Sequence, residues 1–178
     1  THLHGVLADG TVVHGEANID VRRIKPQVPL KEVFLKPTAE IFEGAKQAIK
    51  QSNLIILAPG DLYTSLVPNL LVEGVTRAID QAKAPVVYVC NLMTKHGETD
   101  GFWVSDFVRE IKKYLKEAAG KLSVVLADSS LKLPTSVADW YKKYKSHPVK
   151  LDRAKLNGLA VKTGRFAKSG KLIRHDPE

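Results

Sequence analysis

Cysteine is almost absent from this chain of 178 residues, because Cys90 is the single one. A lone cysteine cannot form a disulfide within the chain, which excludes a fold stapled by disulfides. Cys90 lies inside an apolar run, where a small buried thiol is favoured over a reactive one. Proteins without disulfides are typical of reducing compartments. We therefore expect a buried thiol and a cytoplasmic protein.

Long hydrophobic runs are also missing. The longest apolar stretches, at 54–58 and 85–90, have the length of strands, whereas a membrane-spanning helix needs roughly 20 apolar residues. The opening sequence THLHG contains neither an initiator methionine nor the basic and apolar segments of a signal peptide. We expect no membrane span, and a chain that was trimmed or cut from a longer protein.

Acidic residues are fewer than basic ones, 19 against 27, which leaves a formal net charge of +8. This charge favours anionic partners at long range. The lysines are dispersed in pairs among acidic residues, as on solvated helix faces. A basic module that binds RNA or another polyanionic surface ranks last among our hypotheses, because no nucleic-acid motif accompanies the charge.

The apolar pattern alternates between strand-like and helix-like segments. A β-hairpin is predicted from 3–7 and 11–17, and the fully apolar run 54–57 is typical of a strand buried on both faces. The other predicted strands are 31–35, 85–90, 123–127, 159–162 and 171–174, and the predicted helices are 39–51, 68–81, 105–119 and 135–145. This order predicts one α/β domain, residues 1–178, with a Rossmann-like three-layer core, a mainly parallel sheet and the N-terminal β-hairpin.

Polar residues concentrate in two loops that follow predicted parallel strands, 58–65 and 91–105. In open parallel sheets, ligands bind at the carboxyl ends of the strands. In the first loop, Thr64 and Ser65 place hydroxyl groups near the start of a helix, where free N–H groups bind phosphate. The same spacing also fits a plain helix cap, with Tyr63 packed on the sheet edge. Neither a P-loop nor a dinucleotide fingerprint occurs in the sequence.

The second loop contains Asn91, Thr94, Glu98, Thr99 and Asp100. Glu98 and Asp100 can act as a base, as metal ligands or as acceptors for the hydroxyl groups of a ligand. The alternative is an ordered turn, in which Asp100 accepts backbone N–H groups and Thr99 caps. No Ser–His–Asp order supports a catalytic triad, so catalytic residues stay unassigned.

Two long motifs carry a family resemblance. The first is APGDLYTSLVPNLLVEG at 58–74, and the second begins with VYVCNLMT at 87–94 and continues through 97–106. Both resemble the gluconeogenesis-factor (YvcK) branch of the CofD-like family, the 2-phospho-L-lactate transferases. Two positions depart from the family pattern, since Ala58 and Asp61 stand where the family has glycine and serine. The family's N-terminal glycine-rich turn is absent, so the chain resembles a C-terminal portion, a partial CofD-like domain.

The resemblance implies a Rossmann-like core and one of two functions. The gluconeogenesis-factor branch binds UDP-sugars such as UDP-N-acetylglucosamine and supports gluconeogenic growth and cell shape, which implies a regulatory protein. The alternative is a phospholactyl transferase with a nucleotide diphosphate donor, a deazaflavin acceptor and Mg²⁺. The sequence leaves open whether the protein is an enzyme, and it is compatible with a homodimer.

The resemblance also completes the set of predicted ligand-binding residues. Tyr141 and Arg174 match positions that are expected to contact the UDP-sugar, since a tyrosine ring can stack on a base and an arginine can hold a diphosphate. The carboxylate of Asp61 is expected to repel phosphate unless it turns outward or holds a cation. The full predicted set is Gly60, Asp61, Tyr63, Thr64, Ser65, Asn69, Asn91, Thr94, Glu98, Thr99, Asp100, Tyr141 and Arg174.

Overall fold

The computed structural model describes residues 1–23, 25, 27–129, 131–168, 170 and 172–176. The chain begins with an antiparallel sheet of order β2-β1-β3, formed by β1 (His2–Leu7), β2 (Val12–His14) and β3 (Leu30–Lys36). Gly10 closes the turn between β1 and β2 with a φ of 85°, a value that glycine adopts without a Cβ clash. The predicted N-terminal hairpin is confirmed, and β3 adds a third strand to it.

The return strand of the hairpin ends earlier than the alternation predicted. β2 stops at His14, Gly15 has a φ of 85°, and helix α1 (Glu16–Asp20) follows directly. The side chain of Asn18 donates a hydrogen bond to the His14 carbonyl at 2.8 Å, which supports this change of direction. The prediction that the strand continues to residue 17 was wrong, because a glycine with positive φ breaks the extended chain.

The second sheet is parallel, with the order β4-β5-β6-β7. Its strands are β4 (Ile55–Leu57), β5 (Val86–Val89), β6 (Leu122–Asp128) and β7 (Ala160–Gly164). The α/β fold class with a mainly parallel sheet is confirmed. Because each strand pairs in parallel with its neighbour along the chain, the carboxyl ends of all four strands meet at one edge of the sheet.

Helices form the connections between these strands. Helix α2 (Glu43–Gln51) precedes β4, and α3 (Val67–Leu70) and α4 (Val75–Gln81) lead from β4 to β5. Helix α5 (Val104–Leu115) leads to β6 and α6 (Thr135–Lys143) leads towards β7. A short antiparallel pair, β8 (Ala167–Lys168) and β9 (Arg174–His175), closes the described part of the chain. Lys171 of the predicted strand 171–174 lies outside the described residues.

The predicted helices at 105–119 and 135–145 end earlier in the structure, at Leu115 and Lys143. The other two depart more strongly from their predicted bounds. The helix predicted at 39–51 begins at Glu43, because Glu73 exchanges backbone hydrogen bonds with Ala39 at 2.7 Å and with Ile41 at 2.9 Å, which holds that segment extended. The helix predicted at 68–81 is interrupted by Gly74, which has a φ of 91°. Among the helices in the described residues, none has the length and apolar character to cross a bilayer.

Strand β4 is not buried on both faces. Ile56, in its middle, is 57% exposed. The strand lies at the edge of the parallel sheet, with β5 as its one paired neighbour among the described strands. The prediction was wrong because an apolar run indicates a strand and does not show whether that strand is central or at an edge.

One hydrophobic core joins the two sheets. Phe107 of α5 and Tyr88 of β5 are fully buried in it, together with Leu7 of β1. The hydroxyl of Tyr114 in α5 accepts the backbone N–H of Val33 in β3 at 3.0 Å, so the helix also holds the antiparallel sheet by a hydrogen bond. The antiparallel sheet is therefore packed against the parallel unit.

Cys90 follows β5 and is 2% exposed. Burial raises the pKa of its thiol to about 12, because the thiolate would lose its hydration. The prediction of a buried thiol is confirmed.

Candidate ligand-binding site

A cleft of about 920 Å³ opens at the carboxyl ends of β4 and β5. We call it the first cleft, and its volume lies in the range of small-molecule sites. The loop after β4, the loop after β5, helix α6 and the segment 172–175 supply its walls. Its lining residues are Pro59, Gly60, Asp61, Ser65, Asn91, Leu92, Met93, Trp140, Tyr141, Leu172, Ile173, Arg174 and His175.

Asn91 joins the two loops at the base of the first cleft. Its side-chain NH₂ donates to the Gly60 carbonyl at 2.7 Å, and its side-chain oxygen accepts the hydroxyl of Tyr88 at 3.0 Å. A Cβ at Gly60 would lie 3.2 Å from the Cβ of Ser65, which is closer than most real contacts. The glycine and the asparagine together let the loop after β4 approach the loop after β5.

The turn that follows Gly60 begins against a carboxylate of the protein itself. A π-helical turn runs over Leu62–Leu66, and π turns occur frequently at functional sites. The backbone N–H of Tyr63 at its start donates to Glu98 Oε2 at 3.4 Å. One N–H group near the position where sequence reasoning places a phosphate is therefore already paired with an internal anion.

Lys95 stands at the centre of three carboxylates. Its ammonium group lies 2.6 Å from Asp61 Oδ2 and 3.3 Å from Glu98 Oε1, and it also pairs with Asp20 of α1. Burial raises the pKa of Asp61. Burial also raises the pKa of Glu98, against the opposing effect of the Lys95 charge. The carboxylate of Asp61 thus has a cation as its partner, and this cation belongs to the chain.

Replacing Glu98 by glutamine is expected to reduce a pH dependence of stability. The pKa of Glu98 is raised above its ordinary value of 4.5 in the folded state, so the folded protein holds this proton more tightly than the unfolded chain does. The free energy of unfolding therefore falls as the pH rises from that ordinary value through the raised pKa, and then levels. Thermal unfolding between about pH 4 and pH 8 measures this slope, which Glu98→Gln should lose in part.

A matched control for this experiment is Glu73→Gln. Glu73 is exposed, and its side chain has no hydrogen-bond or ion-pair partner among the described residues. The Glu73→Gln variant should keep the wild-type dependence of stability on pH. If the free energy of unfolding of Glu98→Gln keeps the wild-type slope with pH, Glu98 is not the source of the pH dependence. The same conclusion follows if both variants change this slope equally.

The opposite wall of the first cleft is held in place by Tyr141. The Tyr141 hydroxyl accepts the backbone N–H of Ile173 at 3.0 Å. The ring of Trp140 lies edge-on to the Tyr141 ring, with centroids 5.0 Å apart. His175 places Nε2 3.1 Å from the Cys90 carbonyl, so the segment that carries Arg174 is fastened on both sides of this residue.

The model of the family described as 2-phospho-L-lactate transferase CofD matches residues 1–166. The chain belongs to the CofD family. The gluconeogenesis factor of Halalkalibacterium halodurans is 40% identical over 163 residues, which is 90% of this chain and 48% of that protein. The gluconeogenesis factor of Bacillus subtilis is 32% identical over 178 residues, 98% of this chain and 54% of that protein. The chain spans about half the length of these curated relatives.

Solved structures agree with this assignment. Two crystal structures of a protein from Bacillus halodurans, one of them described as a member of the UPF0052 family, superpose with TM-scores of 0.87 and 0.88 at 36% sequence identity. In both cases 98% of this chain and 55% of the other chain are covered. The family resemblance and the Rossmann-like fold of the CofD-family chain are thereby confirmed.

The structure gathers six of the residues that sequence reasoning selected for this CofD-family site. They line the first cleft and share a position at the carboxyl edge of the parallel sheet: Gly60, Asp61, Ser65, Asn91, Tyr141 and Arg174. The other seven lie outside its lining: Tyr63, Thr64, Asn69, Thr94, Glu98, Thr99 and Asp100.

Several of those seven have structural contacts. The hydroxyl of Tyr63 is directed to Glu110 at 3.1 Å, and Thr99 accepts the N–H of Lys95 at 2.8 Å. Asp100 accepts the N–H of Gly97 at 2.6 Å, as expected for the alternative in which this loop is an ordered turn.

The other four of these seven residues differ in their hydrogen bonds. The side chain of Thr94 accepts the N–H of His147 at 2.9 Å, and Asn69 donates to the Ser65 carbonyl at 2.7 Å. Thr64 Oγ1 is buried and has no hydrogen-bond partner within the part of the chain that the structure describes. Glu98 Oε1 is also buried and has the Lys95 ammonium group as its ion-pair partner.

Sequence reasoning did not select Trp140, Lys95 or His175 as site residues. Trp140 is a neighbour of Tyr141, and its 42% exposure marks it as a surface aromatic. Lys95 lies three residues before Glu98, the spacing of an ion pair on one turn. This spacing is a usable signal, whereas the exposure of Trp140 depends on contacts that the sequence pattern does not show.

Proposed function

We propose that this CofD-family chain carries the ligand site of a gluconeogenesis factor, and that the ligand is a UDP-sugar such as UDP-N-acetylglucosamine. The observation that supports this most is the composition of the first cleft. One wall has exposed aromatic surface at Trp140 and a guanidinium at Arg174, and the other has the hydrogen-bonding groups of Asp61 and Asn91. A nucleotide sugar requires all three kinds of contact: a ring surface, a cation for the diphosphate and acceptors for sugar hydroxyls.

The distribution of charge orients the ligand. A carboxylate lies at the loop after β4 and a guanidinium lies in β9 on the opposite wall, so the diphosphate is best placed at Arg174. The sugar hydroxyls then face Asp61 and Ser65. Sequence reasoning placed the phosphate at the loop 60–65 instead, but the Asp61 carboxylate and the pairing of the Tyr63 N–H with Glu98 favour the Arg174 side.

The role that follows is regulatory binding in the cytoplasm, with effects on carbon metabolism and cell shape. The names of the relatives support the link to carbon metabolism. The effect on cell shape is what the family resemblance implies. The chain spans about half of those relatives, so the proposal concerns the part of the site that these residues build.

The name of the matching family favours a second candidate, a phospholactyl transferase. Its donor, a nucleotide diphosphate, and its deazaflavin acceptor would share the first cleft. Within the described residues no group of three or more His, Cys, Asp or Glu is arranged to hold a metal ion. Three carboxylates, those of Asp20, Asp61 and Glu98, surround the Lys95 ammonium group. Under this alternative, Mg²⁺ would arrive with the diphosphate as part of the substrate.

A thermal-shift panel on the 178-residue chain separates the two candidates. A ligand at 100 times its dissociation constant stabilises a protein by about 2.7 kcal/mol. We expect this effect with UDP-N-acetylglucosamine, a smaller one with UDP and none with N-acetylglucosamine alone. Stabilisation by GDP plus a deazaflavin and Mg²⁺, without any by the UDP-sugar, would replace the proposal by the transferase. No stabilisation by either set would contradict both.

A further inference from the structure

A second cleft of about 590 Å³ lies beside the first. Trp140 and Tyr141 line both clefts, so the aromatic pair forms part of the wall of each. The second cleft is otherwise built from residues that the proposed function does not use. They come from the end of α1, the loop after β5 and the last turn of α6 with the residues that follow it.

The walls of the second cleft are tied together by hydrogen bonds. Thr94 exchanges two of them with His147, through its backbone N–H at 2.7 Å and its side-chain oxygen at 2.9 Å, and the Ser146 hydroxyl is bonded to the Thr94 carbonyl. On the other side, Arg22 donates to the Gly97 carbonyl at 2.6 Å. The cleft is therefore formed before any ligand arrives, which lowers the entropic cost of binding.

The lining of the second cleft offers aromatic surface to a planar group. Tyr144 is 53% exposed and stands next to Trp140, with ring centroids 4.4 Å apart. The two rings are in tilted contact, with an interplanar angle of 39°, and both remain exposed, so they present apolar surface to the second cleft. Base and other aromatic rings stack on tyrosine and tryptophan with a favourable free energy.

Two lysines at the end of α6 bring positive charge to this surface. Lys143 and Lys145 are exposed and line the second cleft, and neither side chain has an ion-pair or hydrogen-bond partner among the described residues. Lys145 has a φ of 52°, so the chain turns sharply at this residue as it leaves the helix. The other ammonium group of the lining, Lys95, is held by carboxylates, including Asp20. The charge of the two terminal lysines is therefore available to an anion.

We propose that the second cleft binds a planar aromatic ring that carries a phosphate, of which a nucleoside monophosphate is the simplest. The ring lies against Trp140 and Tyr144, and the phosphate is bound by Lys143 and Lys145. The volume accommodates a ring with its sugar, and inorganic phosphate alone would leave the aromatic surface unused. This site shares the wall formed by Trp140 and Tyr141 with the first cleft and differs from it in its other lining residues. Its occupation does not require the UDP-sugar proposal to hold.

The test uses Trp140 as the reporter. The chain has two tryptophans, so Trp103→Phe leaves Trp140 as the single one. AMP is titrated into this variant, and adenosine and inorganic phosphate serve as the two halves of the ligand. We expect saturable quenching by AMP, and binding of each half weaker by about tenfold or more, because stacking and charge each contribute free energy.

Substitutions then assign the signal to one cleft. Lys143→Ala and Lys145→Ala should each weaken AMP binding by about fivefold, as expected for the loss of a charged contact. Lys142→Ala is the matched control, because Lys142 is exposed on the same helix and does not line the second cleft. Arg174→Ala should leave AMP affinity within about twofold, since Arg174 lines the first cleft alone.

Four results would overturn the proposal. They are the absence of saturable AMP binding, adenosine binding as tight as AMP, an equal effect of Lys142→Ala and Lys143→Ala, and loss of AMP binding in Arg174→Ala alone. The last of these would move AMP into the first cleft. Circular dichroism of each variant confirms that it is folded, so a loss of binding reports on the site.

Discussion

Arg174→Ala is expected to weaken the binding of UDP-N-acetylglucosamine by roughly 10- to 100-fold, because a hydrogen bond to a charged group contributes about 1.5–3 kcal/mol. Arg174 is exposed in β9 and lines the first cleft opposite the Asp61 carboxylate. Its planar guanidinium can form two parallel hydrogen bonds to a diphosphate, which a lysine cannot reproduce. Isothermal titration calorimetry with the UDP-sugar measures the change.

The same substitution should leave the fold intact. Arg174 is exposed, and substitutions at exposed positions usually change the free energy of unfolding by no more than about 0.5 kcal/mol. Arg165→Ala is the matched control, since Arg165 is exposed in the same C-terminal part, does not line the first cleft and has no side-chain partner among the described residues. Equal affinities for the Arg174 and Arg165 variants would show that Arg174 does not hold the diphosphate.

Asn91→Ala is expected to reduce both stability and ligand binding. The free energy of unfolding should fall by about 2 kcal/mol, because two hydrogen bonds are lost. One of them leaves the hydroxyl of Tyr88, a buried residue of β5, without an acceptor. The loop that carries Gly60 also loses its tie to β5, so UDP-sugar affinity should fall as well. Urea denaturation measures the first effect and calorimetry the second.

Asn69→Ala provides the comparison for this variant. Asn69 is exposed, and its side chain donates one local hydrogen bond to the Ser65 carbonyl at 2.7 Å. We expect a loss of no more than about 0.5 kcal/mol, because an exposed donor exchanges its bond for one with water. If the two asparagine variants unfold at the same urea concentration, the hydrogen bonds of Asn91 between the two loops do not contribute to stability.

The departure of this chain from the family pattern at Asp61 has a structural counterpart. Asp61 pairs with Lys95, and Lys95 pairs in turn with Glu98 and Asp20. An isolated carboxylate at this position would repel a diphosphate, whereas a carboxylate with a neighbouring ammonium is partly compensated. Through its pair with Asp20, Lys95 also connects the first cleft to α1. The residue that looked unfavourable in the sequence belongs to an ionic network.

Sequence reasoning succeeded where the signal is local. Gly10 after Asp9 predicted the first turn, and the alternation of apolar runs predicted the parallel sheet and its helices. It was wrong at Gly15, where a positive φ ends the strand early, and at Ile41, where backbone hydrogen bonds to Glu73 delay the start of the helix. In both places the deciding contact involves a conformation or a partner that hydrophobic periodicity does not encode.

The amino-acid sequence by itself determined the fold class, the family and the edge of the sheet that carries the candidate site, because these follow from chain order and from motifs that are continuous along the chain. Only the tertiary structure decided which side chains line the first cleft. It separated Asn91 and Arg174, which face the cleft, from Thr99 and Asp100, which satisfy the backbone of their own loop. The physical reason is that a polar side chain bonds to the nearest available partner. For Thr99 and Asp100 that partner is a backbone N–H of their own loop, whereas for Asn91 it is the Gly60 carbonyl, which only the tertiary structure brings close.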